Sequence, residues 1–214
     1  MKITIVYDNT AFLDDLRPDW GFSCVYQDET DYTILFDTGT NGQLLLANME
    51  HLGIDPCSVD DVFVSHAHFD HIGGLSAFLN VNRDVRVFCP QSLRGVHGAR
   101  EIISVGDTPV KIRENIFSTG EIDGIEQSLA IETHKGVVLV VGCSHPKMSN
   151  ILAAASRLGQ VYAIIGGMHG FSDFDLFEGM ECICPTHCTQ YIDRIRSKYP
   201  DAYISGGAGR TIEL

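Results

Sequence analysis

Three histidines and one aspartate fall within six residues of this chain: His66, His68, Asp70 and His71, in the string SHAHFDHIGG (65–74). Imidazole is the usual ligand for zinc and other borderline divalent metals, and a carboxylate adds the negative charge that favours two cations at close range. Two metals roughly 3.5–4 Å apart hold a bridging hydroxide and clamp substrate oxygens. The expected chemistry is therefore attack on an ester, lactone or phosphoester bond, with Asp70 both ligating metal and orienting the nucleophile. The plain alternative, a set of surface or capping histidines, is a poor account of so dense a cluster.

Of nine histidines in the chain, three more share a pattern. His145, His169 and His187 each follow an apolar run, in VVLVVGCSH (137–145), YAIIGGMH (162–169) and CICPTHC (182–188). Strand, turn, histidine, repeated three times, places imidazoles on one rim of a sheet, where loops carry function. Taken singly, each is either a loop histidine or a ligand. Taken with the cluster, metal ligation or substrate contact is the better reading, and His145, His169 or Lys147 could steady a developing oxyanion or a phosphate. His51, His97 and His134 lack the pattern and receive no role.

The elements that must position these residues are short β-branched runs separated by turns. Strands are expected at Lys2–Tyr7, Thr33–Phe36, Asp61–Val64, Val85–Phe88, Val110–Ile116, Ser128–Glu132, Val137–Val141, Val161–Ile165, Glu181–Cys184, Ala202–Ile204 and Arg210–Glu213. Helical spacing marks Gln43–Leu52, a stretch from the cluster through about Leu79, Asn150–Leu158 and about Thr189–Lys198. No repeat or linker divides the chain, so one domain over 1–214 is expected, of the α/β (α+β) class and compatible with a four-layer sandwich.

Composition narrows the partners. The 214 residues carry 15 Lys+Arg against 28 Asp+Glu, a formal net charge of −13. Nucleic acid and anionic membrane need a basic face, so neither is expected. A metal centre inside an acidic shell escapes that argument, because the cations would recognise a small anionic or phosphorylated substrate. Seven cysteines, an odd count without a secretory leader, read as reduced thiols in a cytoplasm. No apolar run approaches the ~20 residues of a membrane span.

The string HAHFDH matches the His-x-His-x-Asp-His signature of the metallo-β-lactamase superfamily. The order of TILFDTG (33–39), FSTGEI (117–122), EQSLAIE (126–132), GCSHP (142–146), IGGMH (165–169) and PTHCT (185–189) resembles the subgroup of the archaeal synthase that makes a dihydropterin-methyl-aminobenzene ribofuranosyl phosphate. The resemblance implies an αββα sandwich of two mixed sheets flanked by helices, with two divalent metals at one edge: zinc first, with manganese, iron or magnesium as alternatives. It implies His66 and His68 on one metal, Asp70 and His71 on the other, and His187 as the last ligand of the second site. The superfamily's histidine before strand 137–141 and its bridging aspartate after that strand are both missing, so His145 is expected as the replacement ligand. His169 is expected as a catalytic group, a ligand or a substrate contact. Relative to longer subgroup members the stretch between Arg100 and Lys111 is short, which suggests a reduced cap.

Supporting residues have two readings each. Asp37, closing a strand in DTG, either fixes the tautomer of a ligand histidine or simply forms a turn. Cys143 and Cys188 either bind a softer metal or are small buried thiols. Cys182 and Cys184 are expected on opposite faces of their strand, which would leave no shared site. The functional alternatives are a transferase of the dihydropterin type that releases pyrophosphate, an iron redox or sensing protein expected to need a flavin domain, and a non-catalytic module. A homo-oligomer is compatible with all of them.

Overall fold

In the computed structural model, which describes residues 1–214, the apolar runs pair into two sheets. In chain order, β1 (Lys2–Tyr7), β2 (Ser23–Gln27), β3 (Thr33–Phe36), β4 (Asp61–Phe63), β5 (Arg86–Pro90) and β6 (Glu101–Val105) lie side by side. A second sheet follows in the same manner from β7 (Val110–Arg113), β8 (Ile116–Ser118), β9 (Leu129–Thr133), β10 (Gly136–Val141), β11 (Val161–Gly167) and β12 (Cys182–Thr186). The last strand, β13 (Thr211–Glu213), returns to the first sheet beside β1. Both sheets are mixed: β3 to β6 and β10 to β12 pair in parallel, the rest antiparallel. Parallel pairing sends the carboxyl ends of β3, β4 and β5 to one edge, and those of β10, β11 and β12 likewise.

Period-two alternation decides which side chains fill which layer. Ile34 and Phe36 of β3 and Val138 and Val140 of β10 meet between the sheets in the central core. Leu35 turns outward onto Leu45 and Met49 of α1 (Gly42–His51). Two helices follow the cluster, α2 (Phe69–Ile72) and α3 (Leu75–Val81), and Phe78 of α3 joins that same outer layer. On the other side, Val137, Leu139 and Val141 pack against Met148 and Ile151 of α4 (Met148–Ala155) and Ile195 of α5 (Ile192–Lys198). The order is helix, sheet, sheet, helix: the expected αββα sandwich. No helix is long and apolar enough to cross a membrane.

The structure corrects several boundaries. The single helix expected through Leu79 is two, broken at Gly73-Gly74. A Cβ at Gly73 would meet the Thr40 carbonyl at 2.2 Å and one at Gly74 the Thr38 carbonyl at 2.3 Å, so only glycine lets this loop press onto the segment after β3. Val110–Ile116 is a hairpin, turning at Asn115 with φ +64°. Two strands were not foreseen. In β2, polar Ser23 and Gln27 mask a buried alternation, and β6 occupies the stretch read as a reduced cap. Ala202–Ile204 makes only an isolated bridge, Tyr203 to Ile183. Cys182 and Cys184 share a face, both in the central core, while Ile183 points the other way. Residues two apart on a strand must do so.

Candidate metal centre

The first half of the site hangs on the ends of β3 and β4. Asp37 leaves β3 in the left-handed region, φ +54°, and is fully buried. Its Oδ1 accepts the backbone N–H of Ser65 at 2.7 Å, and its Oδ2 accepts the Ser65 hydroxyl at 2.6 Å. The same Oδ2 lies 2.7 Å from His71 Nδ1. A carboxylate there favours the tautomer with hydrogen on Nδ1 and leaves the Nε2 lone pair of His71 facing inward. Asp37 thus contacts His71 directly, beyond the turn it forms. The Ser65 hydroxyl also reaches His66 Nδ1 at 2.9 Å. His66 and His71 are buried, Asp70 is half-buried and His68 is exposed.

The second half comes from the other sheet. After β10 the chain runs through Gly142-Cys143-Ser144-His145 around one buried carboxylate, Glu126. Glu126 Oε1 accepts the backbone N–H groups of Gly142, Cys143 and Ser144 at 3.0, 3.0 and 3.1 Å, and Oε2 accepts that of His145 at 2.9 Å. His187, after β12, is held from β1's end. Its N–H donates to Asp8 Oδ1 at 2.8 Å, Asn9 Nδ2 donates to its carbonyl at 2.9 Å, and its Nδ1 lies 3.0 Å from Asn9 Oδ1. That last contact leaves Nε2 of His187 as the free lone pair. Ser144, His169 and His187 join Asp37 in the left-handed region, at φ +59°, +44° and +50°. Non-glycine residues hold such conformations only where their surroundings over-determine them, and here they converge at one edge.

Six side chains expected to ligate metal come together. His145 lies 4.7 Å from His66 and 4.6 Å from His68 by ring centroid, and His71 lies 5.0 Å from His187. Two groups of donors result: His66, His68 and His145 in one, Asp70, His71 and His187 in the other, each with its donor atoms within 4.8 Å of one another. Cys143 lies where the two meet, its Sγ 3.2 Å from His71 Nε2, and forms further groups with His66 and His71, with His145 and His169, and with His187 and Cys188. His169 is exposed and 4.7 Å from the His145 ring. The Nε2 atoms of His145 and His187 are buried without a hydrogen-bond partner. Buried polar atoms are ordinarily paired, so an unpaired imidazole nitrogen aimed at a cluster of donors fits a cation.

The electrostatics agree with that fit at His66, His145 and His187. Burial, then the neighbouring His68 and His169, lowers His145 to about 4, and burial with His71 beside it lowers His187 to about 3. The same causes push His66 far down. These imidazoles are neutral at pH 7, the form that coordinates metal. For Asp70, burial works upward, but His71, His187 and the Trp20 N–H hold the carboxyl below its usual range. Burial opposes charge on His71 too, and Asp37 outweighs it, so His71 sits above the ordinary imidazole. The arrangement can hold divalent cations and polarise a bound carbonyl or phosphoryl oxygen.

Glu126, Asp8, Asn9 and Trp20 escaped the sequence reading. Glu126 sat in view, in the segment searched in vain for an upstream histidine. Asp8 and Asn9 ended the first strand, as Asp37 ended another, and that parallel was the available signal.

Residues 18–155 match the sequence profile described as Metallo-beta-lactamase superfamily, a span that includes His66 to His145 but not His169 or His187. The 7,8-dihydropterin-6-methyl-4-(beta-D-ribofuranosyl)-aminobenzene-5'-phosphate synthase of Methanocaldococcus jannaschii is 29% identical over 74% of this chain and 76% of its own length. Among solved structures, Tm1679, described as a metal-dependent hydrolase of the beta-lactamase superfamily, superposes with a TM-score of 0.77 at 26% identity, covering 100% of this chain and 99% of that one. Zn(2+)-bound PqqB from Methylobacterium extorquens, at 11% identity, shares the fold with a TM-score of 0.66 over 100% of both chains.

Proposed function

The chain belongs to the metallo-β-lactamase superfamily, and from that premise we propose that it is a binuclear metal-dependent hydrolase of an ester, lactone or phosphoester. The observation that carries the reading is that two of the overlapping donor groups, His66, His68 and His145 and Asp70, His71 and His187, share no residue, with two buried imidazole nitrogens left unpaired. His66, His68 and His145 would hold one divalent cation; Asp70, His71 and His187 would hold the other. Cys143 lies between the two groups, its Sγ 3.2 Å from His71 Nε2. The ions, zinc foremost, would supply Lewis acidity toward water and toward a substrate carbonyl or phosphoryl oxygen.

The chain's own residues do the rest. Asp37 and Asn9 orient the imidazoles of His71 and His187, and Glu126 shapes the loop that carries His145. Asp70 orients the attacking water and relays its proton to the leaving oxygen as the ester or phosphoester bond breaks. His169, exposed beside a pocket of about 460 Å³ shared with Lys147, Ser149 and Phe171, steadies the developing oxyanion while Lys147 meets an anionic group. The central core shared by both sheets supports one domain over 1–214.

A second reading is favoured by the Methanocaldococcus jannaschii synthase: transfer of a dihydropterin-methyl group with release of pyrophosphate. One screen separates the two. Protein purified without chelators is assayed for metal content, then against phosphoesters, lactones and a pterin diphosphate. Pyrophosphate release that depends on an aminobenzene acceptor marks the transferase; release without it marks the hydrolase. His68→Ala is expected to lose one equivalent of metal and all turnover, and full activity in that variant would overturn the mechanism.

A further inference from the structure

Trp20 is the only tryptophan of the chain, and it stands at the edge of the donor cluster with 58% of its surface exposed. So open a ring is usually free to turn; this one is tied down. Its indole Nε1 donates to Asp70 Oδ2 at 2.9 Å, its backbone N–H donates to Asp19 Oδ1 at 2.8 Å, and its carbonyl accepts from the Thr40 hydroxyl. The ring lies 5.2 Å from that of His187, tilted by 58°.

The residues that follow grip the same aspartate from behind. Phe22 N–H donates to the Asp70 carbonyl at 3.2 Å. At Gly21, φ +141°, a Cβ would come within 2.6 Å of that carbonyl, so the segment fits only as glycine. Residues 20–22 therefore hold Asp70 by both main chain and side chain. The oxygen that receives the indole N–H also lies 3.3 Å from His187 Nε2 and 3.9 Å from His71 Nε2. A carboxylate can rotate and exchange its two oxygens, and a fixed donor on one of them removes that freedom. Outer partners of this kind orient a ligand before the metal arrives.

We propose that Trp20 is a positioning residue: its indole N–H sets the Asp70 carboxylate against His71 and His187, so that the three form a ready donor set for one divalent cation. The proposal rests on the reading of Asp70, His71 and His187 as one ligand set. Because the indole is mostly exposed, its replacement removes little packing. Trp20→Phe keeps an aromatic ring while deleting the N–H donor together with part of the bicyclic ring.

The test is titration of metal-free protein with Zn²⁺ and with Co²⁺, comparing wild type, Trp20→Phe and His187→Ala, with far-UV circular dichroism to establish that each is folded. His187→Ala identifies the equivalent of metal that belongs to this donor set. Trp20→Phe is expected to weaken that same equivalent roughly tenfold or more, to shift its Co²⁺ visible spectrum, and to leave the other equivalent unchanged. In the wild type, Co²⁺ filling that equivalent is expected to quench the single tryptophan's emission saturably. Unchanged affinity and spectrum in Trp20→Phe, with His187→Ala still losing an equivalent, would overturn the role of Trp20 alone. No change in His187→Ala would overturn the ligand set itself, and Trp20's role with it.

Discussion

The two ends of the sandwich are made by the same strands and differ in almost everything else. Where β1, β11 and β12 begin, an open cleft of about 730 Å³ is lined by Lys2, Asp28, Glu29, Lys135 and Glu181. Where the same strands end, the pocket beside the donor cluster is smaller, about 460 Å³. Volume alone does not mark the end that carries the donor cluster. At the cleft the charged groups are exposed and find water or each other, as Lys135 does Glu181 at 3.5 Å. At the far edge Asp37, His66, His71 and His187 are buried, four residues hold left-handed backbone, and two buried imidazole nitrogens have no hydrogen-bond partner. A buried unpaired group is costly, and two imidazole nitrogens left so beside other metal-ligating side chains fit a cation that completes them. The difference in desolvation, not in room, separates the two ends.

The comparison is tested most severely at Glu126. Glu126→Ala would strand four backbone donors, three of them buried, each buried one costing about 1–3 kcal/mol when left unsatisfied. Partial rearrangement of the loop should leave a net loss of about 3 kcal/mol or more, read from denaturant unfolding of the metal-free protein. Loss of the metal equivalent that depends on His145 should accompany it. A loss no larger than that of an exposed acid would mean the loop is shaped by β10 alone.

The next effect in size falls at Asp37. Asp37→Asn keeps the volume and an acceptor for the Ser65 N–H but removes the charge that fixes the tautomer of His71. Metal affinity should fall about 10- to 100-fold, the usual loss for an outer partner, as read by competition with a chelating dye. Stability of the metal-free protein should change far less than in Glu126→Ala. Equal affinity in the variant would mean that His71 is oriented by packing and not by Asp37.

Why these two residues differ in legibility is instructive. The metal cluster was visible because its members are close in sequence and chemically unusual. His145, His169 and His187 were visible because each follows an apolar strand, and parallel strands must end on a common edge. Asp37 could be read because the family resemblance places a carboxylate there, although a turn-forming Asp explained the same residue. Glu126 could not, since its partners are backbone N–H groups sixteen to nineteen residues away, and main-chain donors leave no trace in residue type. The sandwich class was legible from the succession of strands and helices, but the apolar runs of β3 and β10, buried on both faces, do not say which side chain faces which core. The break at Gly73-Gly74 and the edge strand β6 were not legible either, because each depends on close approach between segments distant in the chain.

The smallest expected effect lies at the cleft, and the comparison needs it to be small. Glu181→Ala deletes the partner of Lys135 in a contact where both side chains are about half exposed or more. Pairs so open to solvent are worth about 0–1 kcal/mol, further reduced by salt. Unfolding should therefore shift by less than about 1 kcal/mol, and by less still in concentrated salt. Metal content and turnover should match the wild type, because no donor of the cluster shares a contact with this pair. Should Glu181→Ala instead lower turnover with metal content intact, the open cleft would have to be counted as part of the substrate's path, and desolvation would no longer suffice to tell the two ends apart.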